Sequence, residues 1–338
     1  MDTALKNVRV VGSPVVLVGL VVMAVAVLMI ADPFVTQMLT IALLYGFYVM
    51  SWDVLSGTTE EINFGHPFWL LAGAFTAGWL NLEFEYSAWI TVPAGALVAM
   101  LLGLLAGGLT LRLRGPYFAL VTLALAVTLY KLSFIWDEFF GGEEGISGVD
   151  FITESARGDY YVVLALLAVS YLLLHQYYRS RIGLILMGIK ANDDITRASG
   201  HNTTFYRIMT FGIAMFFAGI AGALTAHVQG SVNSELAAGV VGTLIVLYAM
   251  IGSRGTLAGP LIAGCLFYVL DQNLRVLEEW RTIILLGSIM LAIYLFPDGV
   301  VREIQDRIRR RRLRHSPRSE AALTPEEPGS VATASSPR

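Results

Sequence analysis

Apolar runs of about twenty residues recur along nearly the whole chain, each long enough to cross the ~30 Å hydrocarbon core of a bilayer as a helix. Lipid offers backbone N–H and C=O groups no partners, so a spanning chain must form helices or a closed barrel. The runs lack the period-2 alternation of a membrane barrel, which leaves helices. A mean hydropathy of +0.65 over 338 residues, with only 14% charged residues, is far from a soluble globular composition.

The sequence therefore predicts an all-α polytopic membrane protein of about ten transmembrane helices. Their cores fall near 14–31, 35–52, 62–82, 87–110, 116–136, 160–178, 205–228, 236–252, 256–274 and 282–297. Segment 62–82 is interrupted by Gly65, Pro67, Gly73 and Gly78 and is expected to be broken or re-entrant. Ten spans allow two five-helix inverted halves, although no internal sequence match marks them. The first run follows Lys6 and Arg9, and no cleavage site leads into a soluble domain, so it reads as a retained span. The expected organisation is a cytoplasmic N-terminus at 1–13 and a transmembrane domain at 14–300 with a cytoplasmic loop at 179–204 inside it. A basic juxtamembrane segment at 301–318 and a disordered tail at 319–338 follow.

Charge sets the orientation. Alternate crossing from an inside N-terminus places Arg112, Arg114, the loop from Arg179 to Arg207, Arg254 and the C-terminal arginines on one side. The opposite loops carry Glu83, Glu85, Asp137, Glu138, Glu143, Glu144, Asp150 and Glu154, with few bases beyond Arg157, Arg275 and Arg281. Both termini are then cytoplasmic. The arginines of 301–318 read as a lipid-headgroup anchor rather than a nucleic-acid site. Trp79, Tyr86, Trp89, Tyr117, Trp136, Tyr160, Tyr161, Tyr177, Tyr178 and Trp280 sit near span ends, as interfacial anchors do.

Catalytic signatures are missing. The only lysines are Lys6, Lys131 and Lys190, and no G-x-x-x-x-G-K-[ST] phosphate loop occurs. The histidines show no metal-ligand spacing, and the lone Cys265 excludes an internal disulfide and reads as a small packing residue. Asp271 is placed to bond a neighbouring helix or Arg275 one turn on. An enzyme would need a reactive cluster that the chain lacks. A channel or a gradient-driven secondary transporter stays open on these grounds alone.

The loop from Arg179 to Asn202 is rich in bases and small polar residues. Residues 191–199 suggest a short amphipathic helix with Ile195 and Ala198 on one side and Asp193, Asp194 and Arg197 on others. Asn202 is placed to cap the helix that follows.

Several motifs in fixed order then carry a resemblance. They are SRIGLILMGIKAND from Ser180, Gly200-His201-Asn202, and Ala218-Gly219-Ile220-Ala221-Gly222-Ala223-Leu224. Leu111-Arg112-Leu113-Arg114-Gly115-Pro116-Tyr117-Phe118 is another, as are Gly141 to Gly148 and Gly252 to Pro260. Together they resemble the permeases of branched-chain amino acid ABC importers, of the LivM type, across about Tyr45 to Pro297. The resemblance implies import of branched-chain or related amino acids in a prokaryotic inner membrane, and it also admits urea or short amides. It implies a second permease, two cytoplasmic P-loop ATPases that use ATP and Mg, and an extracellular solute-binding protein. No cofactor would be bound by this chain. Lys190, Asn192, Asp193, Asp194, Ala198, Ser199 and Gly200 would be the ATPase-coupling residues.

Asp53, Asn63, Gly65 and His66 are candidates for the solute pathway, and Gly219 and Gly222 for close helix packing. Gly57, Gly65 and Gly73 are expected to break the backbone or line the pathway. Against the family pattern, Asp53 stands for Asn, Glu60 for Gly, Glu61 for Gln and Pro67 for Ala. Acids in a membrane segment are functional candidates by default, which puts a neutral substrate in question. The alternative is that Glu60 and Glu61 lie in the aqueous interface.

Overall fold

Prolines and short polar side chains start the helices. In the computed structural model, α1 (Pro33–Thr59) opens on Pro33 behind Asp32, whose carboxylate accepts from the Phe34 N–H at 2.9 Å. Pro67 lies in the first turn of α2 (His66–Phe84), and Pro116 opens α4 (Pro116–Ile135) after α3 (Ala88–Thr110). Side chains of Ser155, Ser180, Asn192 and Asn202 cap α6 (Ala156–Arg179), α7 (Arg181–Ala191), α8 (Asp193–Ala198) and α9 (Thr203–Gln229). The remaining helices are α5 (Asp137–Phe140), α10 (Gly239–Gly252), α11 (Ala258–Leu274) and α12 (Trp280–Leu295). The structure describes residues 32–303 except 112, 114, 143, 238, 279 and 298, together with 19, 22, 23, 25, 27 and 307. The expected N-terminus 1–13 and tail 319–338 lie outside the described residues, as do most of span 14–31 and of the basic segment 301–318.

Among the described residues, every expected segment from 35–52 onward falls on an α-helix. Among the described residues, six helices are long and apolar enough to cross a membrane: α1, α3, α4, α6, α9 and the one starting at Trp280. The chain is thus an all-α polytopic membrane protein. β1 (Ile146–Ser147) and β2 (Ser231–Val232) are two-residue strands paired antiparallel, Ile146 opposite Val232. They tie the loop before α6 to the turn after α9. Beside them, the His227 imidazole donates from Nδ1 to the Asp150 carbonyl at 2.6 Å and accepts from the Thr91 hydroxyl at 2.6 Å.

α1 and α9 form the centre. In the apolar window of α1, 78% of residues are buried, against 28% for α4 and 18% for the span from Trp280. α9 packs on α1, α2 and α3, while α11 lies along α1 and α10 along α11. Trp69 of α2 meets Phe211 of α9 edge-on at 5.0 Å, and both are fully buried. Small residues permit the close crossings. A Cβ on Gly222 would strike the backbone of Leu70, and one on Gly219 would meet the Ala99 Cβ at 2.6 Å.

Three expectations need correction. α2 is continuous, and the irregular stretch is confined to residues 60–65 before it. Pro67 sits where its missing N–H breaks no helical bond. Gly57 and Gly73 do not break their helices. They mark close approaches, Gly73 to the backbone of Gly219 and Gly57 to that of Gly255. Among the aromatics, Tyr160 and Tyr178 are core residues rather than interfacial anchors. Tyr160 donates to the Met23 carbonyl and Tyr178 to the Asp53 carbonyl, each at 3.1 Å. Asp271 bonds the neighbouring helix, one of its two expected partners: Arg281 of α12 donates to it from Nε at 2.7 Å.

Candidate functional site

The site is built where α1 ends, because its last turn is held by polar bonds on three sides. Asp53, fully buried, accepts from the backbone N–H of Gly255 at 2.6 Å and of Leu257 at 3.0 Å. Ser253, Gly255 and Leu257 in that segment all have positive φ, at 82°, 80° and 55°. Non-glycine residues hold such values only where their surroundings impose them. Asp53 is one such constraint.

Glu60 then takes φ 63°, its N–H bonded to the Ser56 carbonyl. A left-handed residue at this point is the usual way to end a helix and is normally glycine, which explains the family's glycine here. Glu60 instead reaches Lys190 at 3.7 Å, and the Lys190 ammonium donates to the Gly57 carbonyl at 2.9 Å. Burial pushes the Lys190 amine below its ordinary range, and Glu60 acts in the opposite direction. The left-handed backbone costs roughly 1–2 kcal/mol at a non-glycine residue. A half-exposed ion pair returns about 0–1 kcal/mol. Glu60→Gly gains the first, loses the second and adds about 0.5–1 kcal/mol of glycine backbone entropy, so it is expected to change stability by no more than about 1.5 kcal/mol. The apparent thermal midpoint of the detergent-purified chain checks this.

Glu61 is buried and meets the equally buried Arg207 of α9 at 3.3 Å. Its other oxygen accepts from the Gly115 N–H at 3.3 Å, at the start of α4. Arg207 also lies 3.7 Å from Asp193 of α8, and Asp193 pairs with Arg197 at 3.2 Å. Asp53, Glu60 and Glu61 are thus engaged with backbone donors and bases. None stands as a loose acid in a pathway, and Glu61 is not in the open aqueous interface.

Residues 60–65 lead directly into the other pathway candidates. Asn63 accepts from the Gly65 N–H at 2.8 Å, which shapes the turn into α2, and its carbonyl accepts from the Trp52 indole at 2.7 Å. His66 bonds Ser51 at 2.8 Å and stacks on Tyr48 with ring centroids 4.9 Å apart. Gly65 packs against the Thr122 backbone. The Tyr48 hydroxyl, Asn63 Nδ2 and His66 Nδ1 are buried without hydrogen-bond partners among the described residues. Such orphans are rare in folded proteins and mark a polar seam between α1 and α2 with unused bonding capacity.

The expected coupling residues divide. Lys190, Asn192 and Asp193 turn inward or shape the local backbone, Asn192 by accepting from the Ile195 N–H at 3.0 Å. Asp194, Ala198, Ser199 and Gly200 are exposed, as is Ile195 at 64%. Ile195 and Ala198 both lie exposed, and the buried side chain of α8 is Thr196. Arg207, a lone base one turn into an apolar run, was the missed signal. No group of three or more His, Cys, Asp or Glu among the described residues could hold a metal ion.

Spanning helices around a buried polar seam, joined by ion pairs to an exposed loop helix, define an integral membrane protein. Residues 34–294 match the family described as branched-chain amino acid transport system / permease component, and the chain belongs to that family. It is a permease subunit of an ABC importer, which operates as a complex with other subunits. It is 25% identical over 316 residues to the high-affinity branched-chain amino acid transport system permease protein LivM of Salmonella typhimurium. That alignment covers 83% of this chain and 74% of the relative. The Escherichia coli protein of the same description is 25% identical over 314 residues, covering 84% and 74%. A probable branched-chain amino acid transport permease protein LivM of Methanocaldococcus jannaschii is 24% identical over 232 residues, covering 61% and 67%. No solved structure matches the chain.

Proposed function

We propose that this permease moves branched-chain or related amino acids through the seam between α1 and α2. Two P-loop ATPases that hydrolyse ATP with Mg, a second permease and an extracellular solute-binding protein complete the importer. The chain crosses a prokaryotic inner membrane about ten times, in two inverted halves, with both termini cytoplasmic. Asn63, Gly65 and His66 face the solute as it passes, while Asp53 holds the end of α1. The ATPases dock on the exposed surface of α8 and the turn after it, at Asp194, Ala198, Ser199 and Gly200. Lys190, Asn192 and Asp193 support that surface from within.

The observation that carries this reading is the set of ion pairs joining α7, α8 and α9 to residues 60–61, beside the seam. A machine driven from outside the membrane needs such a mechanical connection. A neutral substrate is supported by the partners that Glu60 and Glu61 find in these pairs and Asp53 in two backbone N–H groups. Purification of the chain from native membranes is expected to bring down a P-loop ATPase and a second permease, identified by mass spectrometry. Recovery of the chain alone, in a detergent that keeps a known importer intact, would overturn the proposal in favour of a gradient-driven transporter.

A further inference from the structure

Arg207 occupies an unusual position. It lies in α9, a spanning helix, yet it touches two other elements at once. Its guanidinium is the only described group within ion-pair distance of both Asp193, on the loop helix α8, and Glu61, in the irregular stretch that precedes α2. Both contacts are shielded from water, with side-chain exposures of 9% for Arg207, 8% for Glu61 and 11% for Asp193. Charges buried to this degree are screened little by salt and hold their geometry only as a matched set. Glu61 adds a bond to the Gly115 N–H, so the start of α4 belongs to the same unit.

We infer that Arg207 is a positioning residue that transmits displacement of α8 to residues 60–65 and thereby to the seam. This rests on the reading of α8 as the ATPase-facing element. A guanidinium has donors on separate nitrogens in a fixed plane, so its two carboxylate partners cannot shift independently. When α8 moves, Asp193 carries Arg207 and Arg207 carries Glu61. Residues 60–65 are the part of this system able to respond. Beyond the Glu60 N–H, which makes the last helical bond of α1, they lie outside any helix, and Glu60 already sits in a left-handed conformation. Lys190, which bonds Gly57 and pairs with Glu60, forms a second and more exposed contact between the same loop and the end of α1.

The test uses the whole importer, purified with its ATPases and placed in liposomes. Ile62→Cys in a Cys265→Ala background supplies one reporter, and its labelling by a membrane-impermeant maleimide is timed with and without vanadate trapping of ATP. In the parent, trapping is expected to change the labelling rate about tenfold, within the ordinary range of coupling between sites. In Glu61→Gln, which keeps shape and leaves Arg207 its Asp193 partner, the change should fall below about twofold. Copurification of the ATPases and the rate of ATP hydrolysis should persist. Glu61→Gln with Arg207→Met, a neutral pair that buries no lone charge, should match Glu61→Gln. A trapping response as large in Glu61→Gln as in the parent overturns the inference. So does a parallel loss of hydrolysis and response, which marks a purely structural role. A parent chain that copurifies with no ATPase defeats the importer reading itself, and that outcome is visible before any Glu61 variant is made.

Discussion

Asp53→Ala is expected to destabilise the folded chain by about 3–5 kcal/mol, while Asp53→Asn costs only about 1–2 kcal/mol. The carboxylate serves two backbone donors, Gly255 and Leu257, and its removal leaves both N–H groups buried without acceptors. Each such loss costs about 1–3 kcal/mol, toward the upper end when the lost acceptor was charged. The segment it holds contains three residues at positive φ, so release of the constraint also lets Ser253 and Leu257 relax. Asparagine keeps one acceptor in place and presents an amide N–H to the second donor, which accounts for the intermediate value. Thermal midpoints of the three purified proteins in one detergent decide the matter. A midpoint of Asp53→Ala equal to the parent's would show that the 253–257 segment holds its own shape.

Gly222→Ala should cost about 3 kcal/mol or more, because the added methyl would strike the Leu70 backbone, which has no rotamer to escape through. α9 would have to move off α2, and with it Arg207 off Glu61. Gly108→Ala is the matched control. Nothing lies within 4 Å of its would-be Cβ, so it is expected to be neutral or to stabilise α3 by up to ~1 kcal/mol. Equal behaviour of the two variants in a thermal scan would refute the close α2–α9 contact.

The spanning helices were legible because long apolar runs have few alternatives in a membrane chain. Helix starts were legible as well, since Asn202 sits at its cap with the appropriate spacing. What escaped was everything decided by contact between distant segments. Gly73 looks like a helix breaker in sequence, and only the arrival of Gly219 shows why a side chain is excluded there. Glu60 and Glu61 are adjacent, yet one reaches Lys190 and the other Arg207, because the left-handed turn at Glu60 points them apart. Thr196 is the buried side chain of α8, while Ile195 beside it lies exposed. A six-residue helix is too short for periodicity to assign its inner face.

The central placement of α1 has a consequence for how the protein is made. Thr36, Thr40, Ser51, Asp53 and Ser56 all lie buried along this helix. The two backbone donors that satisfy Asp53 are 202 and 204 residues further along the chain. At about 5–20 residues per second, translation takes roughly 10–40 s to deliver them. During that interval α1 has no partner for its carboxylate, and hydrocarbon would be a hostile place for it to wait. The nascent helix must therefore remain sheltered by the insertion machinery, or stand shifted toward water, until α9 and α11 emerge. The completed bundle is then assembled around a helix made well before the donors that satisfy it.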